Sequence, residues 1–206
     1  MFKDRYEAGK LVAEKLKKYA GNKDAIILAI PRGALQNGYE MAKELKLPLN
    51  IVVTKKIPYP GQPEYAIGAV GPDGSYYLES QAKEVSKEYI ETEVKEITEA
   101  IKKKYKIMGV KIPELKGKVA IIIDDGIATG STMIAACRYV RKKNPKKIVV
   151  AVPVSAEDSA TKVKKECNEF ICLSIPKFFM AVGEFYYDFP QVEDEEAKRL
   201  LKEANK

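Results

Sequence analysis

Two adjacent carboxylates, Asp124 and Asp125, close the apolar run Val119–Ile123 and open the segment Gly126-Ile127-Ala128-Thr129-Gly130-Ser131-Thr132. At the carboxyl end of a strand such a pair faces the crevice where open α/β sheets hold ligands. The small and hydroxyl residues that follow leave backbone N–H groups free at a helix start, where partial positive charge collects without a basic side chain. That order suits a phosphate monoester. Carboxylates beside a phosphate are repelled unless they face hydroxyl groups or a cation, so the natural guest is a sugar phosphate carried with Mg²⁺. A glycine-bearing turn with two solvated aspartates is the alternative. The chain has no GxxxxGK[ST], because no lysine follows Gly130, and no GxGxxG, so neither a triphosphatase loop nor a dinucleotide turn accounts for the segment.

Holding such a segment at a crevice requires a parallel sheet, and apolar runs that alternate with helix-period stretches predict one. Residues 25–30 form a short apolar strand ended by Pro31, and 34–46 place Leu35, Tyr39, Ala42 and Leu45 on one helical face. A strand over 49–54 follows, then a proline-rich loop over 56–64, then a hairpin in which 66–70 and Tyr76–Leu78 flank Gly71-Pro72-Asp73-Gly74. Ile90, Val94, Ile97, Ile101, Tyr105 and Met108 make 85–108 a long amphipathic helix. Strands over Val119–Ile123, 148–154 and 169–173 complete the sheet, with helices after the first two and Ser155 with Asp158 as an N-cap. The expected fold is α/β, a mostly parallel twisted sheet flanked by helices, as a single domain over 1–206 without repeats or linkers.

The chain has no histidine, which excludes Ser-His-Asp and Cys-His catalysis and His-containing zinc sites. Its 206 residues can bury a full core without disulfides, and Cys137, Cys167 and Cys172 are odd in number, lack CxxC spacing and sit among apolar neighbours. They read as reduced thiols in a cytoplasmic protein. No run approaches a membrane span, and the amino terminus reads as an amphipathic charged helix rather than a signal peptide. Lysine and arginine outnumber aspartate and glutamate 36 to 29, giving +7, carried by 31 lysines and five arginines. A solvated lysine-rich surface explains this better than nucleic-acid binding, because the basic runs lie on polar helix faces.

The segment around Asp124-Asp125 resembles the phosphoribosyl pyrophosphate (PRPP) signature of type I phosphoribosyltransferases, and the resemblance extends over nearly the whole chain. Pro31-Arg32-Gly33-Ala34 is similar to that family's pyrophosphate loop, and residues 55–78 to its mobile catalytic lid. Residues 82–108 are similar to its long helix and 174–190, with Val182-Gly183-Glu184-Phe185-Tyr186-Tyr187-Asp188-Phe189, to the hood near the base. A bacterial and archaeal subgroup reading PRGG, PELAIGAV, VDDGIATG and VGEFYxDF is similar throughout; here Ala34 replaces its second glycine, and Lys102 to Lys104 stand where arginines are frequent.

The resemblance implies Mg²⁺-dependent transfer of a 5-phosphoribosyl group from PRPP to a nitrogen nucleophile, a step of nucleotide metabolism. Asp124 and Asp125 would face the ribose hydroxyls and organise the metal. Ala128, Thr129, Gly130, Ser131 and Thr132 would bind the 5′-phosphate. Arg32 and Gly33, with Lys55 and Lys56, would meet the diphosphate, Glu64 is a candidate lid acid, and Phe179 and Tyr186 are candidates to stack on the base. Ala128 stands where hypoxanthine and guanine members carry an aspartate, which argues against a 6-oxopurine, whereas adenine members share Ala-Thr-Gly. The expected partners are PRPP, a small nitrogenous acceptor and a second copy of the chain across the long helix, with no membrane and no nucleic acid. The competing reading is a PRPP-sensing regulator that binds nucleic acid; a third is a scaffold with a decayed site.

Overall fold

Every apolar run named above becomes a strand, and the alternation between runs and amphipathic stretches becomes a layered sheet. A computed structural model describes residues 1–206, the side chain of Glu64 excepted. In chain order the elements are α1 (Arg5–Lys15), β1 (Ala25–Ala29), α2 (Ala34–Leu45), β2 (Leu49–Ile51), β3 (Lys55–Tyr59), β4 (Gln62–Val70), β5 (Tyr76–Leu78), α3 (Lys87–Met108), β6 (Val119–Ile123), α4 (Ser131–Arg141), β7 (Lys147–Val154), α5 (Glu157–Lys164), β8 (Glu169–Ser174) and α6 (Asp194–Glu203).

Five strands form a parallel sheet in the order β2-β1-β6-β7-β8, with Ile121 of central β6 in register with Ile27 on one side and Val149 on the other. Successive side chains of a strand point to opposite faces, and each face builds its own core. Ile27, Ile121, Ile123 and Val149 pack with Leu16 of α1's end, Leu35 and Met41 of α2, Ile101 of α3 and Leu200 of α6. Leu28, Ile122, Val150 and Val152 pack beneath Met133, Cys137 and Val140 of α4 and Val163 of α5. The chain leaves β1 toward β2 and leaves β6 toward β7, so the loops after β1 and β6 diverge and open a crevice between them.

Two expectations change. Residues 56–64 are not a loop: β3 pairs antiparallel with β4, and β5 makes a third strand. Pro58 is tolerated because β3 lies at an edge and Pro58 sits at an irregularity in the register, where no ladder N–H is required, and Pro60 falls in the turn between β3 and β4. Ser155 does not cap α5, whose N-cap is Ala156; instead Ser155 bridges to Ile127 and anchors the loop after β6 to the end of β7.

The long helix starts where Ser86 accepts a hydrogen bond from the Tyr89 N–H and stops at Gly109, with φ of 68°. The amino terminus and the aromatic tail meet: the Phe2 N–H donates to the Phe185 carbonyl at 2.8 Å, and the Tyr187 N–H to the Phe2 carbonyl at 2.9 Å. All three cysteines are free, Cys137 fully buried. No helix among the described residues is long and apolar enough to cross a membrane.

Candidate active site

The crevice is a cleft of 610 Å³ bounded by Arg32 and Gly33 after β1, Thr54 between β2 and β3, Lys55 and Lys56 at the start of β3, Lys104 of α3, and Asp124 and Asp125 after β6. It opens into a smaller recess of 180 Å³ along Ala128, Thr129, Gly130 and Thr132, closed on one side by Val182 of the aromatic tail.

The loop after β6 is pinned at its edges and free in its middle. The Ile127 N–H donates to the Val154 carbonyl at 2.9 Å, the Ala156 N–H to the Ile127 carbonyl at 2.9 Å, and the Ser159 hydroxyl to the Ala128 carbonyl at 2.5 Å. Gly130 turns the chain into α4 with φ of 86°, a conformation that favours glycine. The N–H groups of Ala128, Thr129, Gly130, Thr132 and Met133 lie at or just before the start of α4 and have no protein acceptor among the described residues. Free N–H groups at a helix start are suited to a tetrahedral anion. Ser131 is placed differently from its neighbours: its buried hydroxyl donates to Glu79 at 2.9 Å, and Glu79 is held in turn by Lys162 at 2.9 Å and Tyr77 at 3.2 Å. Its side chain therefore ties the three-stranded sheet to the loop.

The acidic pair is asymmetric. Arg5, buried on α1, brings its Nε within 2.7 Å of Asp125 Oδ2, donates through Nη1 to the Pro190 carbonyl at 2.8 Å, and lies 3.6 Å over the Phe189 ring. Burial, reinforced by the neighbouring Asp125 charge, pushes the Asp124 carboxyl well above its ordinary value, and Arg5 only partly offsets this. Gly33 is packed against the same pair, since a Cβ there would overlap the Asp125 carboxylate and lie 3.0 Å from Arg5 Nε. Its lack of a side chain thus serves the Arg5–Asp125 contact as well as any approach of ligand to backbone.

Four cations line the cleft. Lys55 and Lys56 at the start of β3 are exposed and have no ion-pair partner among the described residues. Arg32 follows a cis Pro31–Arg32 peptide, and its Nη1 lies 3.4 Å from Asp194 Oδ1 and 3.6 Å from Glu193 Oε2. Lys104 forms an ion pair with the same Asp194 oxygen. The Lys104 hydrogen bond, together with the two positive charges, holds the Asp194 carboxyl below its ordinary value. Glu64 belongs to β4, and its side chain lies outside the described residues.

The two aromatic candidates part company. Phe179 is half-buried and stacks on Phe185 with ring centroids 5.3 Å apart. Tyr186 is buried instead of facing the cleft: its hydroxyl donates to the Asp125 carbonyl at 2.5 Å, and its ring packs against Phe2 and Phe189. The expectation that Tyr186 stacks on a ligand is corrected, because a phenol wedged beneath the acidic pair has no free face. Arg5, Thr54, Lys104 and Asp194 escaped the reading of the sequence. Arg5 left a trace there as one of five arginines in a chain of 31 lysines, and Lys104 as one of three lysines standing where the subgroup often carries arginines.

No group of three or more carboxylates or thiols is placed to cage a metal among the described residues. Asp124 and Asp125 suit a Mg²⁺ ion that arrives on phosphate oxygens, because Mg²⁺ in phosphate sites takes one or two carboxylates and fills its shell with ligand oxygens and water.

The site is thus a parallel sheet that carries a glycine-bearing loop and an acidic pair at its switch point. The family model of the phosphoribosyl transferase domain matches residues 4–190, and the chain belongs to that family. Curated relatives from two strains of Mycobacterium tuberculosis, with phosphoribosyl transferase in their names, are 35% identical over 214 residues, covering 100% of this chain and 47% of their own length. The chain thus spans about half the length of the curated relatives it matches. A uracil phosphoribosyltransferase of Aquifex aeolicus is 32% identical over 59 residues, 29% of this chain and 28% of its own. The crystal structure of TT1426 from Thermus thermophilus superposes with a TM-score of 0.83 at 35% identity, covering 100% of both chains.

Proposed function

We propose that the protein transfers a 5-phosphoribosyl group from PRPP to a nitrogen nucleophile of the nucleobase class and releases pyrophosphate. The observation that carries this reading is the convergence of three unlike parts on one crevice: free N–H groups at the start of α4, the acidic pair beside them, and Arg32 across the cleft. The N–H groups of Ala128 to Thr132 hold the 5′-phosphate. Asp124 and Asp125 face the ribose hydroxyls, and Arg32, Lys55 and Lys56 draw negative charge off the departing diphosphate. The C1–O bond to the diphosphate breaks, the C1–N bond forms, and the acceptor's proton leaves to solvent. Asp124 and Asp125 would hold Mg²⁺, which when bound would supply positive charge to the diphosphate.

The β3–β4–β5 sheet carries Lys55, Lys56 and the lid acid Glu64, so its closure over the cleft would exclude water that hydrolyses PRPP. Phe179 is the hood aromatic for a flat acceptor. A nucleobase acceptor is supported by the name of the Aquifex relative, and a reducing cytoplasm by the three free thiols. The test is pyrophosphate release from PRPP and Mg²⁺ across a panel of bases and amines. Release with one acceptor, lost in Asp124→Asn/Asp125→Asn while the fold is kept, supports transfer. PRPP binding without release for any acceptor would instead make the protein a sensor.

A further inference from the structure

Two groups in the cleft have no part in the reading above. Thr54, just after β2, is 7% exposed, and its hydroxyl has no hydrogen-bond partner among the described residues. A buried hydroxyl left unpaired is costly to keep, and Thr54 lines the cleft, so a turn of its side chain toward the cleft would give the hydroxyl a ligand oxygen as partner. Lys104 reaches the same cleft from the opposite wall, and it shares Asp194 Oδ1 with Arg32.

Two cations thus converge on one carboxylate oxygen at the rim of the cleft, the arrangement that a phosphate oxygen meets when bound by charge-assisted hydrogen bonds. The carboxylate belongs to the first residue of a firmly seated helix. Ala197, Leu200 and Leu201 of α6 are buried in the core, and Glu196 accepts from Gln36 Nε2 at 2.8 Å. Exchange of Asp194 for another anion therefore needs only a side-chain rotation, and its one-third exposure leaves room for it.

We propose that the diphosphate of the substrate spans Arg32, Lys104 and the Thr54 hydroxyl, and that Asp194 is an internal stand-in anion that the diphosphate displaces. The inference rests on the phosphoribosyl-transfer reading and adds two ligands and one competitor to it. Asp194 keeps two like charges together and so organises the subsite. It also opposes the incoming anion, so its removal tightens binding.

The test is calorimetric titration of the chain with inorganic pyrophosphate in MgCl₂ at fixed ionic strength. Lys104→Met should weaken binding about tenfold, the scale of one charge-assisted hydrogen bond. Thr54→Val should weaken it about threefold to fivefold while the thermal midpoint stays or rises, since the hydroxyl lost had no partner. Asp194→Asn should tighten binding about fivefold, and should do little when Lys104 is already methionine. Glu195→Gln removes the same charge from the next residue, 85% exposed and paired only with Lys198, and should leave affinity within about twofold.

Wild-type affinity in Lys104→Met and Thr54→Val would overturn the extended subsite. Asp194→Asn that binds no tighter than Glu195→Gln would overturn the stand-in role. A wild-type chain that binds neither pyrophosphate nor PRPP would instead overturn the transfer reading itself, and the inference with it.

Discussion

Arg5 Nε stands 2.7 Å from Asp125 Oδ2, so the first helix is locked onto an acidic pair 120 positions further along the chain. The contact also gathers the carboxyl-terminal tail, through the Pro190 carbonyl and the Phe189 ring. It makes the pair unequal: both line the cleft, but of the two only Asp125 has an ion-pair partner among the described residues. Neighbouring carboxylates repel, and one guanidinium beneath them lets both sit at the end of one strand.

Breaking a buried pair by removing one partner strands the other charge, which costs about 3 kcal/mol or more. Arg5→Met should therefore lower the free energy of unfolding by about 3 kcal/mol in urea titrations. Most of the loss should return in Arg5→Met/Asp125→Asn. Equal stability of Arg5→Met and wild type would show that the contact carries no energy.

Gly33→Ala should damage the site more than a surface glycine would, because the added methyl overlaps the Asp125 carboxylate and crowds Arg5. Overpacking of this kind costs about 1–3 kcal/mol. PRPP affinity and thermal midpoint should fall together in Gly33→Ala, whereas Gly21→Ala, with no atom within 4 Å of the added Cβ, should leave PRPP affinity unchanged.

Gly130 holds φ of 86° at the entry to α4, and an alanine there is strained by about 1 kcal/mol. The strain falls on the N–H groups proposed above to hold the phosphate. Gly130→Ala should weaken PRPP binding by about tenfold or more while the fold survives, as read by calorimetry and circular dichroism. Undiminished affinity would move the phosphate elsewhere.

Glu169 on β8 accepts from Lys147 and Lys18 at 2.6 Å each and from Tyr19 at 2.7 Å, which ties β7, β8 and the end of the first helical segment. Burial alone would raise its carboxyl, but the three hydrogen bonds outweigh it and bring it from 4.5 down to about 2. The unfolded chain then binds this proton more tightly than the folded one. The stabilisation is fully present above the unfolded value and is lost as pH falls through about 2. Glu169→Gln should accordingly melt below wild type at pH 7, with the gap closing progressively in acid. A gap that is constant from neutral pH to about pH 2 would rule this out.

Much of the scaffold was legible because its signals are local. A strand buried on both faces reads as a run such as Val119–Ile123, and α3 reads as apolar residues at spacings of three and four. The loop after β6 was legible for the same reason, since its small residues, its glycine and its carboxylates are contiguous. β3 was misread because Pro58, with Pro60 just beyond it, signals a loop, and only the edge position of β3, a property of the assembled sheet, permits Pro58 in a strand. Tyr186 was misread because an aromatic tail has the same composition whether it lies over a ligand or beneath the acidic pair.

What the amino-acid order determined by itself was the set of elements, the parallel sheet they build and the phosphate-type loop at its switch point, because periodicity and turn chemistry act over a few residues. What only the tertiary structure decided was which charges meet. Arg5 on Asp125, Glu79 on Ser131, and Asp194 between Arg32 and Lys104 all join residues more than fifty positions apart, and nothing in their local sequence selects those partners. The packing of helices on the two faces of the sheet brings them within hydrogen-bonding reach, where burial makes each pairing energetically decisive.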